Sequence, residues 1–358
     1  MRFTYEALPG RVVFGIGSVG DVPAEAARLG VERMFVITDA QAKAIGDDVV
    51  AALGPVVAAR WDDVAQHVPV ELAERARSAA ADAGADGLVC VGGGSSTGLA
   101  KAIALTSRRP ILAVPTTYAG SEMTPIYGLT GRHKQTGRSL DVVPKVVVYD
   151  PALTVGLPAG VTGPSGFNAL AHCVEALYGP GANPVTSLMA LEGIGAIGRS
   201  LAAAVADGSD LVARTDLLYG AWLAGVALGA TGTALHHKVC HALGGTYDLV
   251  HGDVNAVMLP HAVAYNTPGA REDMGRVASA LGVSDGDAAG ALYDLAIAIG
   301  APTSLEAIGM PYDGLDEAAE RTVADTTVNP VPVTVDGVRS MLERAWNGTR
   351  PATSSVSR

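Results

Sequence analysis

Six of the eight histidines, His172, His236, His237, His241, His251 and His261, fall within residues 172–261 of the 358-residue chain. Asn168 and His172 are four apart, as are His237 and His241. On a helix that spacing puts two side chains on one face. His251 follows in Leu249-Val250-His251-Gly252, which reads as a loop. Imidazoles gathered in this way suit three kinds of chemistry: holding a transition metal, moving protons as acid and base, or gripping an anionic substrate. A lone histidine is more often part of the packing than of a site. Two i,i+4 pairs with a further histidine nearby are harder to assign to a core.

A second set of residues suits phosphate. Gly92-Gly93-Gly94-Ser95-Ser96 follows a β-branched run and opens a helix that contains Lys101. Glycines let the backbone approach a pyrophosphate, and a helix N-terminus offers free N–H donors and a favourable dipole. The same string also makes an ordinary strand-to-helix turn, and it is neither GxGxxG nor a Walker loop. Thr116-Thr117-Tyr118-Ala119-Gly120-Ser121-Glu122 follows another apolar run and suits either a cofactor loop or a plain connection. Asp39 ends a third such run. There a carboxylate can accept from a ribose 2′-hydroxyl and repel a 2′-phosphate, favouring NADH, or cap a helix over Ala40–Ile45.

These residues need elements to hold them. Met34–Thr38, Gly87–Val91, Ile111–Pro115 and Val146–Tyr149 read as buried strands, with helices predicted over Glu71–Ala83 and Ser95–Leu105. Alternating strands and helices imply a parallel sheet covered on both faces. Val12–Gly15 and Tyr127–Thr130 read as additional strands, of the kind that form hairpin arms. Leu157–Gly166, broken by Pro and Gly, reads as a linker. Beyond it the pattern predicts helices over Asn168–Leu177, Ser187–Ala206, Asp210–Gly229, Lys238–Leu243, Val254–Tyr265, Arg271–Leu281, Asp287–Ile299 and Val338–Trp346. The expectation is an α/β domain over 1–156 and an all-helical domain over 157–358, with the Thr349–Arg358 tail frayed.

Composition narrows the functions. A net charge of −11 without a basic run argues against nucleic acid as a partner. Cys90, Cys173 and Cys240 are odd in number and widely spaced, which fits a reducing cytoplasm better than a disulfide framework. The N-terminal MRFTYEALPGR lacks the apolar core of a signal peptide. Leu217–Leu235 carries no charge over nineteen residues, but its Gly and Thr interruptions suit a buried helix rather than a membrane span.

Together GGGSSTGLAK (92–101), PTTYAGSE (115–122), NALAHCVE (168–175), HHKVCHALGG (236–245) and His251-Gly252 resemble the iron-containing, or group III, alcohol dehydrogenase superfamily over almost the whole chain. HVPVE (67–71), PTTYAGSEMT (115–124), TGR (136–138), VPK (143–145), NALAH (168–172), LHHKVCHALGGT (235–246) and NPVPVT (329–334) resemble its maleylacetate reductases in particular. The resemblance implies the dehydroquinate-synthase-like fold: an α/β nucleotide-binding domain with a parallel sheet, an all-α domain, and an active site in the cleft between them. It implies reduction of maleylacetate to 3-oxoadipate with NADH or NADPH in aromatic degradation, a dicarboxylate substrate and a cytoplasmic homodimer. The superfamily holds its metal with one Asp and three His, which fall by motif on Asn168, His172, His237 and His251. An amide is a weaker ligand than a carboxylate. Among maleylacetate reductases this Asn goes with metal independence, so the resemblance implies that no metal is required. Gly98, where the alcohol dehydrogenases have Asp, agrees with that subfamily; His251-Gly252 is closer to the alcohol dehydrogenases. The rivals are a metal-dependent alcohol dehydrogenase or aldehyde reductase and a dehydroquinate-synthase-like lyase.

On this reading hydride adds to the β-carbon of an enone and charge develops on the ketone oxygen. His172, His237, His241 and His251 are the expected catalytic donors. Tyr127, Arg138, Asn168 and Lys238 are expected to meet the substrate, although Lys238 fits a solvated helix surface equally well. Asp39, Gly92, Gly93, Gly94, Ser95, Ser96, Thr116, Thr117, Tyr118 and Ser121 are expected to bind the cofactor. Protonated histidines with Arg138 or Lys238 would make a local positive pocket for a dianion in an acidic protein.

Overall fold

The computed structural model describes residues 3–8, 10–131, 134–326 and 328–351. The chain divides into two compact units, Glu6–Leu157 and Pro158–Arg358, the second also taking in Met1–Tyr5. The end of the tail expected to fray, residues 352–358, lies outside the described residues.

The first unit contains strands β1 (Arg11–Phe14), β2 (Met34–Thr38), β3 (Val57–Trp61), β4 (Gly87–Gly92), β5 (Ile111–Pro115), β6 (Ile126–Thr130), β7 (Lys134–Arg138) and β8 (Val146–Tyr149). Its helices are α1 (Val22–Arg28), α2 (Lys43–Leu53), α3 (Val70–Asp82) and α4 (Gly94–Ser107). Six strands form a parallel sheet in the order β1-β8-β5-β4-β2-β3. Every residue of β2, β4, β5 and β8 is buried, as helices on both faces require. Met34, Val36, Val89, Val91, Leu112, Val114, Val146 and Val148 build a core with Val22, Ala26, Val49 and Leu53 of α1 and α2. The strand order reverses between β2 and β4, and ligands of open α/β sheets bind at the carboxyl ends of strands at such a point.

Two strand expectations divide. Tyr127–Thr130 is a hairpin arm, β6 pairing antiparallel with β7. Val12–Gly15 is not: it lies in β1, parallel to β8 at one sheet edge with Arg11 opposite Val146. The other edge is β3, whose half-buried VAARW lacks the apolar run that marks its neighbours.

The second unit contains α5 (Ala159–Ala176), α6 (Pro184–Ala206), α7 (Leu211–Thr231), α8 (Leu235–Tyr247), α9 (His251–Asn266), α10 (Arg271–Ala280), α11 (Ala288–Ala298), α12 (Leu315–Asp325) and α13 (Val335–Trp346). Two of them, α6 and α7, are long and apolar enough to cross a membrane. α7 carries Leu217, Leu218, Gly220, Ala221, Leu223 and Ala224 all buried, so burial runs around the helix as in a core. A second core joins α8, α9, α12 and α13 through Leu235, Leu243, Val254, Met258, Leu315, Val338 and Met341. α12 escaped the sequence pattern although Leu315, Ala318, Ala319 and Thr322 follow helical spacing, because three of the four are small or polar.

Most of the Pro/Gly stretch read as a linker is helical. α5 begins at Ala159 and runs through Pro164. Proline inside a helix forfeits one backbone hydrogen bond and crowds the preceding turn. The surroundings accommodate this one: a Cβ on Gly252 would lie 2.5 Å from Pro164 Cβ, so only glycine lets the start of α9 approach α5 there. The glycine after His251 therefore has a packing reason in this chain. His251 is likewise the first residue of α9 rather than part of a loop.

Candidate active site

In the α/β unit the residues expected to bind a cofactor meet at the ends of β2, β4 and β5. Asp39 Oδ2 accepts from Gly93 N at 3.0 Å and from Ser96 Oγ at 2.9 Å, and Oδ1 accepts from Ala42 N at 2.9 Å. Gly92 has a φ of 139°, and a Cβ on it would lie 2.1 Å from Asp39 Oδ2. No other residue fits there. Gly93 caps α4 without a side-chain bond, so the first-turn amides of Gly94, Ser95 and Ser96 lack intrahelical acceptors and suit an anion. Thr116 N donates to Gly92 O at 3.0 Å, joining the two loops, and Thr117 packs against Gly93. Two expectations change. The Ser96 hydroxyl is taken up by Asp39, and Tyr118 is fully buried, so it belongs to the packing of its loop.

Lys101 sits two turns into α4 and is 1% exposed. Its Nζ donates to Ser121 O (2.6 Å), Thr124 O (2.8 Å), Thr124 Oγ1 (3.0 Å) and Ile126 O (2.8 Å). Burial pulls its pKa down to about 7, opposed by the charge of Glu122. The Glu122 carboxyl is raised by its own burial, while the Tyr149 hydroxyl, donating at 2.6 Å, holds it down. This brace fixes the Ser121 end of the 116–122 loop and the start of the β6–β7 hairpin. Tyr127 of that hairpin lies across from Gly137, and Arg138 is exposed at its end.

In the helical unit Asn168, His172 and Glu175 occupy positions i, i+4 and i+7 of α5, one face of the helix. Asn168 Nδ2 lies 3.2 Å from His172 Nε2. The His172 ring stacks on His237 with centroids 4.4 Å apart and planes 12° apart. His237 stands edge-on to His236 at 4.9 Å and to His241 at 6.4 Å, and His241 stacks with His251 at 6.2 Å. The four expected catalytic histidines thus form one ladder. His236, not assigned a role, is buried within it, its Nε2 3.3 Å from Asn255 O and 3.5 Å from Cys240 Sγ. His261 is buried on α9 without a hydrogen-bond partner among the described residues.

Glu175 was not singled out in the sequence, although it stands three residues after His172. It is completely buried. Its Oε2 accepts from Ala234 N at 3.0 Å and faces His237 Nδ1 at 2.6 Å, and its Oε1 accepts from His236 N at 2.7 Å. Burial raises its carboxyl; the neighbouring His236 ring and the backbone donors oppose the rise. Burial also drives His172 and His237 well below the ordinary imidazole range and His236 to about 3. These three rings are neutral at pH 7, which removes His172 and His237 from the expected positive pocket. His241 and His251 are exposed and Lys238 is half-buried. A cavity of about 300 Å³ adjoins His241, lined also by Gly245, Thr246, Arg321 and Asp325. Arg321, on the α12 that the sequence pattern missed, is already paired with Glu317, donating through Nε at 3.0 Å and Nη2 at 2.7 Å.

Asn168 Nδ2 and His172 Nε2 engage each other, while Asn168 Oδ1, His172 Nδ1 and His237 Nε2 are buried without a hydrogen-bond partner among the described residues, three polar atoms at positions where the superfamily would place ligands. Among the described residues, the His, Cys, Asp and Glu atoms gathered closely enough to share an ion belong to Glu175, His236 and His237. Glu175 already has three partners there. An ion would displace contacts that hold α8 in place.

Comparison with known proteins agrees with this architecture. Residues 9–151 match the iron-containing alcohol dehydrogenase model, and residues 162–346 match the C-terminal model of the Fe-containing alcohol dehydrogenase family. A maleylacetate reductase of Burkholderia cepacia is 49% identical over 351 residues, 98% of this chain and 99% of its own. The crystal structure of maleylacetate reductase from Agrobacterium tumefaciens superposes with a TM-score of 0.95 at 44% identity, covering 98% of this chain and 100% of that one. That from Rhizobium sp. gives 0.94 at 45%, with the same coverage.

Proposed function

The chain belongs to the iron-containing alcohol dehydrogenase family, and from that premise we propose that it reduces maleylacetate to 3-oxoadipate with a nicotinamide cofactor and without a required metal. The observation that carries the metal-free reading is the neutral amide of Asn168, its Nδ2 3.2 Å from His172 Nε2, where the superfamily would place a carboxylate ligand. Relatives 42–49% identical that are named maleylacetate reductases support the choice of substrate.

When bound, the nicotinamide supplies a hydride, which adds to the carbon β to the ketone; a proton then completes the α-carbon. The α4 amides at Gly94, Ser95 and Ser96 would hold the cofactor's pyrophosphate, at the place where Gly92 leaves no room for a side chain. Asp39, whose oxygens accept from Gly93 N, Ser96 Oγ and Ala42 N, still puts a negative charge on this loop, which we read as favouring NADH over NADPH. In the helical unit His241 is the exposed member of the ladder beside the cavity. We assign it the stabilisation of the enolate oxygen and delivery of the proton. In the helical unit Lys238 is the cation we assign to the substrate's carboxylates. Three buried free thiols fit a reducing cytoplasm, and a homodimer is the assembly we expect.

The test is oxidation of NADH, and separately of NADPH, with maleylacetate and with a panel of simple aldehydes, each with and without EDTA. Turnover restricted to maleylacetate, faster with NADH and unchanged by EDTA, is expected. Aldehyde reduction abolished by EDTA would replace this reading with a metal-dependent alcohol dehydrogenase.

A further inference from the structure

α8 begins at Leu235, and no side chain of its own first turn or N-cap satisfies its opening amides. Glu175, reaching from α5, supplies that cap: its two oxygens accept from Ala234 N and His236 N. A carboxylate there also complements the helix dipole. The same Oε2 that takes the Ala234 amide lies 2.6 Å from His237 Nδ1. His237 Nε2, on the opposite side of the ring, is buried and has no hydrogen-bond partner among the described residues.

We propose that Glu175 is a positioning residue of the reduction, which locks His237 as its Nδ1–H tautomer and presents a bare Nε2 as a hydrogen-bond acceptor. Both oxygens of Glu175 act as acceptors, Oε2 from Ala234 N and Oε1 from His236 N, so the proton between Oε2 and Nδ1 is assigned to the ring. One residue therefore sets both the place of His237, by fixing the start of its helix, and its polarity. Nε2 then cannot donate to an enolate oxygen, and the donor's task passes to His241. The proposal rests on the reductase reading only for its effect on turnover; the tautomer is a property of the protein alone.

Glu175→Gln tests it. Glutamine offers one acceptor oxygen to three donors. The two backbone amides cannot give up their protons, but the imidazole can move its proton to Nε2. With histidine ring nitrogens labelled by 15N, and His237 assigned by its loss in His237→Gln, the unaltered protein is expected to show His237 protonated at Nδ1 at neutral pH. In Glu175→Gln that tautomer loses its dominance, and kcat falls by up to about 100-fold, the cost of a misplaced ring, while the KM for cofactor stays within about twofold. Nε2–H as the main tautomer of the unaltered protein would overturn the proposal, even if Glu175→Gln failed to fold. An Nδ1–H tautomer and a kcat both unchanged in Glu175→Gln would also overturn it. Absence of maleylacetate turnover in the unaltered protein would instead sink the substrate assignment and leave the tautomer measurement standing.

Discussion

Lys101 in the α/β unit and Glu175 in the helical unit are both buried ionisable groups, and each gathers backbone groups of the opposite polarity. Lys101 collects the carbonyls of Ser121, Thr124 and Ile126 and so braces a loop whose useful groups are main-chain amides and hydroxyls. Glu175 collects the amides of Ala234 and His236 and so braces a helix whose useful groups are side-chain rings. The difference bears on what each unit can tolerate. Amides come with almost any residue, provided a glycine stands where a Cβ would collide, as at Gly92. Imidazoles come only with histidine. Truncating a side chain should therefore cost chemistry in the helical unit and stability in the α/β unit.

The sharpest way to break that contrast is His241→Ala. His241 is exposed, so its loss costs the fold little beyond the ring contacts with His237 and His251. Removing a general acid typically costs about 10²- to 10⁴-fold in rate, and we expect kcat to fall by that amount with a little-changed melting curve. Steady-state rates and thermal melts measured side by side decide it, and near-normal turnover would take His241 out of the mechanism. Lys101→Met is the counterpart. It strands three carbonyls and leaves the buried Glu122 without the neighbouring charge, and breaking a buried charged network costs about 3–5 kcal/mol. A large drop in urea midpoint, with residual turnover in the folded fraction, is expected. A loss of turnover without a loss of stability would erase the distinction between the units.

Much of this architecture could be read from the residues, and the gaps have physical reasons. Buried parallel strands announce themselves as apolar runs, which is why β2, β4, β5 and β8 were plain while β3, with Arg60 in a half-buried edge strand, was not. The histidine ladder was visible because i,i+4 pairs on α5 and α8 survive any packing of the two helices. Its charge was not. Neutrality of His172 and His237 follows from burial, which no local pattern reports. Glu175 was legible as a position on the Asn168–His172 face but not as a role, since its partners lie about sixty residues away in sequence. Pro164 misled in the opposite direction: as punctuation it marked a linker, yet Gly252, far along the chain, gives it room inside a helix.

The contrast between the units also has a pH dependence, smaller per residue than either substitution. His172, His236, His237 and His261, all in the helical unit, have folded-state pKa values below the unfolded 6.5, through burial first. A group depressed in this way stabilises the fold fully above the unfolded value and loses that contribution as pH falls toward the folded one. For His261, depressed to about 4, the window runs from 6.5 down to about 4. Within it one such histidine contributes a slope of at most about 1.4 kcal/mol per pH unit. Because His261 has no hydrogen-bond partner among the described residues, His261→Leu removes the titration without breaking a polar contact. Urea titrations at pH 7, 6, 5 and 4 should show the parent losing stability steadily below 6.5 and His261→Leu losing it more slowly. Parallel acid limbs would mean that the buried ring is already protonated in the fold, or stays neutral in the unfolded chain. In either case burial in the helical unit would not be what makes the protein acid-sensitive.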